Sequence, residues 1–297
     1  MNTIAQDLRD KHVLVADGGW GTFLIAEGLG PGDCPELWNT EHAEVVRTIA
    51  QNYVEAGADV ITTNSFGGSR CKLEQYGLGD RAAELNEAAA ALSREAAGDR
   101  VHVIASIGPT GKFLITGEVT EEALYEAFKE QAMALERGGA DACVVETMSA
   151  LDEAVIAVRA AKENTKLEII SSFTYASQAG GAYRTMMGVT PAQMAAACLD
   201  AGATILGSNC GLGSAEMVGV IRALHEAAPG VPLLVNPNAG QPVHTDAGDT
   251  YPETPEIMAG FTPTFIEAGA TIIGGCCGTH PGHIRAIAAA VKDALGQ

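Results

Sequence analysis

Three of the seven cysteines have a spacing that could bind a metal ion. Cys276 and Cys277 are adjacent and lie within a Gly-Gly-Cys-Cys-Gly segment, where glycine leaves the backbone free to turn both thiols toward one point. Cys210 stands far earlier in the chain, just after another apolar run. Three thiolates suit Zn²⁺, which accepts soft sulfur in tetrahedral geometry, and a fourth position would stay open for a substrate.

The spacing alone leaves two other interpretations of these thiols open. Free cysteines are often buried and simply pack, and the adjacent pair could form a strained, redox-active disulfide. No Cys-x-x-Cys pair is present to indicate a zinc knuckle. The remaining cysteines are assigned no chemistry: Cys143 and Cys198 lie in apolar runs and are expected to pack, and Cys34 and Cys71 lie in polar segments.

Eight short apolar runs alternate with helical patterns along the chain. Most of the runs are rich in Val and Ile without strict alternation, as strands buried on both faces should be. The predicted strands are Val13–Ala16, Val60–Asn64, Val103–Ile107, Cys143–Glu146, Ile169–Phe173, Ile205–Ser208, Leu233–Asn236 and Ile272–Gly275. This count predicts an α/β fold, a single (β/α)8 TIM barrel domain over residues 1–297. An open doubly wound sheet is the alternative, although no Gly-x-Gly-x-x-Gly turn follows the first strand.

Barrel enzymes carry their chemistry where the strands end, on the loops at the carboxyl face. In this chain those positions hold Asp17, Glu146, Cys210 and the Cys276–Cys277 pair, so three thiols from two strands are expected at one rim. Two carboxylates suit an ammonium group, and a glycine-rich turn offers backbone N–H groups to a carboxylate. Asp17 as a turn cap and Glu146 as a partner for an arginine remain alternative interpretations.

The charge balance narrows the possible partners. The chain has 37 acidic and 18 basic residues, a formal net charge of −19, and such a field repels nucleic acids and anionic membranes. No apolar run reaches the roughly 18 residues of a membrane-spanning helix, and the first residues lack a secretion-signal pattern. The odd cysteine count argues against a disulfide framework. We therefore expect a cytoplasmic protein that acts on a small molecule and binds neither nucleic acid nor membrane.

Seven strand-end motifs together resemble the homocysteine S-methyltransferase family. They are Asp17-Gly18-Gly19-Trp20-Gly21-Thr22, Thr63-Asn64-Ser65-Phe66-Gly67, Gly108-Pro109-Thr110-Gly111, Glu146-Thr147, Ser208-Asn209-Cys210, Pro237-Asn238-Ala239-Gly240 and Gly274-Gly275-Cys276-Cys277-Gly278-Thr279. The resemblance covers essentially the whole chain, and the double-cysteine element with an upstream Asn-Cys is highly specific. The pattern is similar to the homocysteine-binding domain of cobalamin-dependent methionine synthase and to bacterial betaine–homocysteine methyltransferases.

The resemblance implies a zinc-dependent methyltransferase that acts on the thiol of L-homocysteine and gives methionine. Cys210, Cys276 and Cys277 would hold one Zn²⁺ per chain and carry the catalysis. Asn238 would lie close enough to the metal to fill its fourth position when substrate is absent.

The resemblance also implies how the amino-acid end of homocysteine is held. Asp17 and Glu146 would bind its amino group. The backbone amides around Gly18 and Gly19 would meet its carboxylate.

The methyl donor is left open by the sequence. Methionine synthase has folate, cobalamin and reactivation modules that do not fit into 297 residues, so we expect either a betaine-like or sulfonium small molecule or methylcobalamin on a partner corrinoid protein. The polar stretch His244 to Gly260 is predicted to be an irregular loop over the site. A betaine-like donor would need aromatic faces, for which the candidates are Trp20, Phe23, Trp38 and Tyr251. Two alternative functions are a homocysteine-binding subunit of a multi-protein corrinoid system and a non-catalytic vicinal-thiol redox sensor.

Overall fold

Eight parallel strands form a barrel in the computed structural model, which describes residues 3–178, 180–245 and 248–296. The strands are β1 (Leu14–Val15), β2 (Val60–Thr62), β3 (His102–Ile107), β4 (Ala142–Met148), β5 (Glu168–Phe173), β6 (Ile205–Asn209), β7 (Leu233–Asn236) and β8 (Ile272–Ile273). They pair in the order β1-β8-β7-β6-β5-β4-β3-β2, and a parallel bridge between Ala16 and Val60 joins the two ends of that sheet. The predicted (β/α)8 barrel is confirmed, and each predicted strand overlaps an observed one.

Helices cover the outside of the barrel between successive strands. The α-helices are Ile4–Lys11, Trp20–Ala26, Trp38–Glu41, Ala43–Glu55, Arg70–Leu73, Ala82–Ala97, Glu121–Arg137, Leu151–Asn164, Pro191–Ala201, Ser214–Ala227, Pro255–Gly260, Thr262–Glu267 and Pro281–Leu295. Short 3₁₀ turns lie at Pro35–Leu37, Glu74–Tyr76, Gly79–Arg81 and Leu114–Thr116. Within the described ranges, no helix combines the length and the apolar character needed to cross a membrane.

The interior of the barrel is an apolar core built from side chains that point inward from the strands. Leu14 of β1 belongs to this core and is fully buried, and Ile4 and Leu8 of the first helix join the same cluster. Asp7 of that helix pairs with His102 at the start of β3, with 2.8 Å between Oδ2 and Nε2. The first helix therefore closes the end of the barrel at which the strands begin, and the carboxyl end is left for the site.

The stretch 244–260 is ordered in its described part, so its prediction as an irregular loop was wrong. Val243–Thr245 and Gly248–Thr250 pair as an antiparallel hairpin, while residues 246 and 247 lie outside the described ranges. Pro255–Gly260 is a helix that begins with a capping threonine followed by proline. That pair is a helix-start signal, which the polar composition of the stretch concealed. A second short hairpin joins Ala176–Ser177 to Tyr183–Arg184 after β5.

Candidate metal centre

The three predicted thiols meet at the mouth of the barrel. The Sγ atoms of Cys210, Cys276 and Cys277 all lie within 4.8 Å of one another. The distance between Cys210 Sγ and Cys277 Sγ is 3.8 Å, and that between Cys276 Sγ and Cys277 Sγ is 4.0 Å. Three sulfurs bound tetrahedrally to one Zn²⁺ at about 2.3 Å would be about 3.8 Å apart. The observed spacing therefore fits a single zinc ion, and all three cysteines are free thiols.

The backbone at two strand ends turns these thiols inward. Cys210 follows β6 with a φ of +60°, a left-handed conformation that costs a non-glycine residue about 1 kcal/mol or more. Cys277 is followed by Gly278, whose φ is +82°. The N–H of Cys276 donates to the carbonyl of Pro237 over 2.8 Å, which fixes the second turn against the end of β7. Local strain at Cys210 is thus part of how the site is assembled.

The three thiols influence one another's ionisation. Hydrogen bonds from Cys276 and Cys277 lower the pKa of the Cys210 thiol. The hydrogen bond to Cys210, together with burial, raises the pKa of both Cys276 and Cys277. One thiolate is therefore favoured over three, because the charges repel one another at short range. All three thiols lose their protons only when a bound cation offsets that repulsion.

Asn238 lies directly beside the cysteine trio. Its side chain forms a hydrogen bond with Cys210 that lowers the pKa of this thiol. Its Oδ1 atom is buried and has no hydrogen-bond partner among the described residues. A buried acceptor without a partner is unfavourable, and a cation or a substrate donor at the site would satisfy it. Its role as a fourth metal ligand stays a prediction, and this orphaned oxygen is the observation in its favour.

The segment that follows the 243–250 hairpin reaches back to the thiols. Tyr251 forms a side-chain hydrogen bond with Cys277, and its ring lies so close to Gly278 that a Cβ there would come within 2.2 Å of Tyr251 Cγ. Two residues later, the Glu253 carboxylate accepts from the hydroxyl of Ser214 over 2.5 Å. The stretch His244 to Gly260, which was predicted to cover the site, therefore contacts the thiols through Tyr251. The bond between Glu253 and Ser214 helps to hold this segment in place.

Asp17 is a buried carboxylate at the end of β1, only 1% exposed. Its Oδ2 atom accepts from Trp20 Nε1 over 2.9 Å and from the backbone N–H and hydroxyl of Thr62 over 2.7 and 2.9 Å. None of these three bonds reaches Oδ1. Burial raises the pKa of Asp17 to about 6 against the opposing effect of these donors. A buried carboxylate of this kind in a barrel mouth is a candidate for binding a cationic group.

Glu146 is re-aimed by a β-bulge at the end of β4. Between the pairs Val145–Ser171 and Met148–Phe173, β4 has one residue more than β5, and Thr147 has a φ of +58°. Bulges of this kind often lie beside active sites and redirect a side chain. Burial, with a smaller contribution from the nearby Asp17 carboxylate, raises the pKa of Glu146 to about 7.

Asn209 orients the Glu146 carboxylate and was not assigned a role from the sequence. Its Nδ2 donates to Glu146 Oε2 over 3.2 Å and to the Thr147 hydroxyl over 2.7 Å. Its Oδ1 accepts from the Thr147 N–H and from the Ser172 hydroxyl. The other carboxylate oxygen of Glu146 accepts from Ser106. Glu146 is therefore held by neutral donors, and no arginine among the described residues pairs with it.

The glycine pair after β1 packs under the second cysteine turn. The N–H of Gly19 donates to Thr279 Oγ1 over 2.9 Å, and that hydroxyl donates to the carbonyl of Cys276 over 2.7 Å. A Cβ on Gly18 would lie 2.6 Å from the same Oγ1 atom. The Gly19 amide is thus already engaged, so its predicted contact with a substrate carboxylate requires it to exchange partners.

The four aromatic candidates divide into two groups. Trp20 and Tyr251 lie beside the site, where they hydrogen bond to Asp17 and Cys277. Phe23 packs edge-on against Tyr53, and Trp38 is buried in the hydrophobic core. These four residues therefore do not form one aromatic cage.

Comparison with known sequences finds a matching family and similar proteins that are much longer than this chain. The family described as homocysteine S-methyltransferase matches residues 14–291. Methionine synthase of Mycobacterium tuberculosis is 35% identical over 303 aligned positions, covering 97% of this chain and 25% of that protein. Methionine synthase of Mycobacterium leprae is 33% identical, covering 98% of this chain and 25% of that protein. The chain thus spans about a quarter of the length of these curated relatives.

Structural comparison finds the same architecture. The metallated form of the homocysteine methyltransferase MmuM from Escherichia coli matches with a TM-score of 0.80 and 25% identity, covering 97% of this chain and 99% of that one. The oxidized form of the same protein matches with a TM-score of 0.79 and 24% identity, again over 97% of this chain and 99% of that one.

Proposed function

Because the chain belongs to the homocysteine S-methyltransferase family, we propose that it transfers a methyl group to the thiol of L-homocysteine and gives methionine. The observation that carries this proposal is the convergence of Cys210, Cys276 and Cys277 at one barrel mouth, beside the buried carboxylate of Asp17 and the partly buried carboxylate of Glu146. A relative described as a homocysteine methyltransferase has a metallated form, which supports the further proposal that the trio holds one metal ion.

The donor set suits zinc for a reason that also concerns the reaction. One Zn²⁺ with three thiolates has a net charge of +2 − 3 = −1, so sulfur ligands leave the metal less positive than histidine or carbonyl ligands would. A zinc ion bound there would lower the pKa of a substrate thiol, whose reference value is about 8.5, and so keep it ionised near neutral pH. Asn238, whose side chain hydrogen bonds to Cys210 and whose Oδ1 has no partner among the described residues, would be the candidate for the fourth ligand.

The chain's own residues then position the substrate. Asp17 and Glu146 would bind the ammonium group of homocysteine, which offsets the cost of keeping a buried and a partly buried carboxylate charged close together. Asn209 and Ser106 fix the Glu146 side chain, so the ammonium meets a preformed acceptor. The thiolate sulfur forms a bond to the methyl carbon while the bond between that carbon and its leaving group breaks, and the electron pair stays with the leaving group.

The proposed activity is tested by a donor panel with L-homocysteine as the fixed acceptor. Zinc-loaded protein is incubated with a carboxylate-bearing trimethylammonium compound, a dimethylsulfonium compound or a methylcorrinoid protein, and methionine is quantified. We expect methionine from at least one of these donor classes, since relatives named methionine synthase and homocysteine methyltransferase both match the chain. Absence of methionine with every donor would overturn the proposed function.

Metal removal provides a separate prediction. We expect about one zinc per chain after purification without chelator, loss of methionine formation when zinc is stripped, and recovery when zinc alone is returned. Elemental analysis and the activity assay measure these outcomes. Full activity without metal would contradict the proposal. A two-proton mass loss at the Cys276–Cys277 pair in metal-free protein would instead favour the redox-sensor alternative.

Binding of the amino-acid end is expected to depend on pH. The pKa values of about 6 for Asp17 and about 7 for Glu146 mean that both carboxylates gain protons as the pH falls through this range. Because an ammonium prefers the ionised forms, its affinity should weaken by roughly tenfold to a hundredfold between pH 8 and pH 5.5. Calorimetric titration with L-methionine, whose side chain does not titrate, measures this effect. An affinity that stays constant over this range would rule out the two carboxylates as the ammonium site.

A further inference from the structure

The strand β7 lies between the two strands that lead to the cysteines, because the sheet order there is β8-β7-β6. The carbonyl of Asn236, the last residue of β7, accepts from the N–H of Cys210 over 3.1 Å. The next carbonyl, that of Pro237, accepts from the N–H of Cys276 over 2.8 Å. The end of β7 therefore fixes both cysteine turns through its main chain, and the side chain of Asn236 starts between them.

The side chain of Asn236 faces the interior of the barrel. Successive residues of a strand point to opposite faces. Leu234 belongs to the apolar cluster inside the barrel, whereas Leu233 and Val235 pack in the cluster that includes the outer helices. Asn236 therefore shares the inner face with Leu234 and lies one layer closer to the carboxyl end, where the thiols are.

This layer of the barrel interior is polar on most strands. Its members on the other strands are Thr62, Ser106, Glu146, Ser172 and Asn209. Each of these side chains forms a hydrogen bond within the layer or to Asp17. By contrast, Asn236 Oδ1 is buried without a hydrogen-bond partner in the part of the chain that the structure describes. Buried polar atoms are satisfied in most proteins, so an exception in this layer needs an explanation.

The amide of Asn236 is able to turn its oxygen toward a ligand. The residue as a whole is partly exposed, and the last torsion of an asparagine side chain is broad. Because Oδ1 has no partner among the described residues, rotation of the amide breaks no hydrogen bond of that atom. An acceptor of this kind is free to meet a donor that enters the barrel mouth.

A glycine brings Asp17 close to the strand that neighbours β7. Gly274 directly follows β8, and its N–H donates to the carbonyl of Val235 over 3.0 Å. A Cβ on Gly274 would lie only 2.7 Å from the Cβ of Ala16 and 2.7 Å from the carbonyl oxygen of Asp17. The ends of β1 and β7 therefore flank one position without a side chain, and Asp17 and Asn236 lie on its two sides.

A primary ammonium group needs three acceptors, because it has three N–H donors. Asp17 offers its Oδ1 atom, which none of its bonds to Trp20 and Thr62 engages. Glu146 offers Oε2, whose bond from Asn209 is 3.2 Å long. Asn236 is the register partner of Asn209 on the neighbouring strand, and its Oδ1 would complete the set.

A neutral acceptor suits this position better than a third carboxylate. Burial, and after it the charges of Asp17 and Cys210, raise the pKa of Glu146. Another negative charge would increase this repulsion. An amide oxygen adds a hydrogen bond to the ammonium and leaves the net charge of the site unchanged.

We propose that Asn236 is a substrate-binding residue whose Oδ1 atom accepts the third N–H of the homocysteine ammonium, beside Asp17 and Glu146. This inference rests on the proposed function. It assigns to Asn236 the selection of thiols that carry a primary ammonium group.

The test measures the binding of three thiols to zinc-loaded protein by calorimetric titration. L-Homocysteine is compared with its decarboxylated analogue, an aminopropanethiol, and with its deaminated analogue, a mercaptobutanoate. Asn236→Leu removes the acceptor at nearly constant size, and Asn236→Ala removes it without filling the space. We expect each variant to bind the two ammonium-bearing thiols at least about tenfold more weakly. Binding of the mercaptobutanoate should change less than about twofold, because it has no N–H to lose a partner.

A second buried oxygen provides a matched control. Thr262, on an outer helix, is fully buried, and its hydroxyl has no partner among the described residues either. Thr262→Val should leave the affinity for all three thiols unchanged. The zinc content of the Asn236 variants should equal that of the wild type, because the contacts with Cys210 and Cys276 are made by main-chain carbonyls that the substitutions keep.

The possible outcomes distinguish the inference from the proposed function. Wild-type affinity for the ammonium-bearing thiols in both Asn236 variants would overturn the inference and leave the proposed function intact. An equal loss of affinity for all three thiols would also overturn it, since the substitutions would then act on the metal centre. If the wild-type protein binds no homocysteine, the proposed function has failed, and the inference with it.

Discussion

Replacement of Cys210 by serine is expected to remove the bound zinc and to lower kcat/KM for homocysteine methylation by about a thousandfold or more. The serine hydroxyl does not ionise near neutral pH, so only Cys276 and Cys277 would remain as thiolate ligands. The left-handed backbone at position 210 does not depend on the sulfur, so the substitution should leave the barrel folded. Zinc analysis, circular dichroism and the methionine assay measure these three effects.

Cysteines outside the trio provide matched controls for this substitution. Cys71 and Cys198 are buried, and neither belongs to a group of residues close enough to hold a metal ion among the described residues. Cys71→Ala and Cys198→Ala should therefore keep zinc and activity, with at most a modest loss of stability from a small cavity. Wild-type zinc content and activity in Cys210→Ser would contradict the account of the trio.

Replacement of Asp17 by asparagine is expected to have opposite effects on binding and on stability. The amide oxygen can accept from Trp20 and Thr62 as the carboxylate does, so the local geometry is kept while the charge is lost. Loss of a charged hydrogen bond of about 1.5 to 3 kcal/mol should raise the KM for homocysteine by roughly tenfold to a hundredfold. Steady-state kinetics with homocysteine as the varied substrate measure this change.

The stability effect follows from the raised pKa of Asp17. A carboxylate with a folded-state pKa of about 6 stabilises the fold most below its unfolded value of 3.8, and this contribution is lost as the pH rises through 6. At pH 8, Asp17→Asn should therefore increase the free energy of unfolding by up to about 3 kcal/mol, with a smaller gain at pH 5. Asp80→Asn, at a fully exposed side chain, should change neither the KM for homocysteine nor the gain in the free energy of unfolding that is expected of Asp17→Asn. A less stable Asp17→Asn protein with an unchanged KM for homocysteine would contradict the assignment of Asp17 to the ammonium site.

Much of the fold could be predicted because its signals are local. Val- and Ile-rich runs bounded by glycine mark strands that are buried on both faces, and eight of them in about 300 residues leave few architectures. The strand ends then indicated where Asp17, Glu146 and the cysteines would meet. Parallel strands bring their carboxyl ends to one face, so residues distant in the chain become neighbours without any local sign of contact.

The parts that were missed depend on side-chain directions and on packing between distant segments. The bulge that turns Glu146 arises from one extra residue relative to β5, which spacing within β4 does not reveal. The bonds of Asn209 require β4 and β6 to be placed first. The available signal in the sequence was the position of Asn209, directly after the predicted strand Ile205–Ser208 and directly before Cys210. The contact between Tyr251 and Cys277 was hidden because a polar hairpin was interpreted as an irregular loop.

X-ray absorption at the zinc edge tests the central claim most directly, because it counts the sulfur neighbours of the metal. The account predicts three sulfurs at about 2.3 Å in the zinc-loaded protein, supplied by Cys210, Cys276 and Cys277, and a fourth after L-homocysteine is added. Zinc with fewer than three sulfur neighbours, or a sulfur count that homocysteine leaves unchanged, would contradict it.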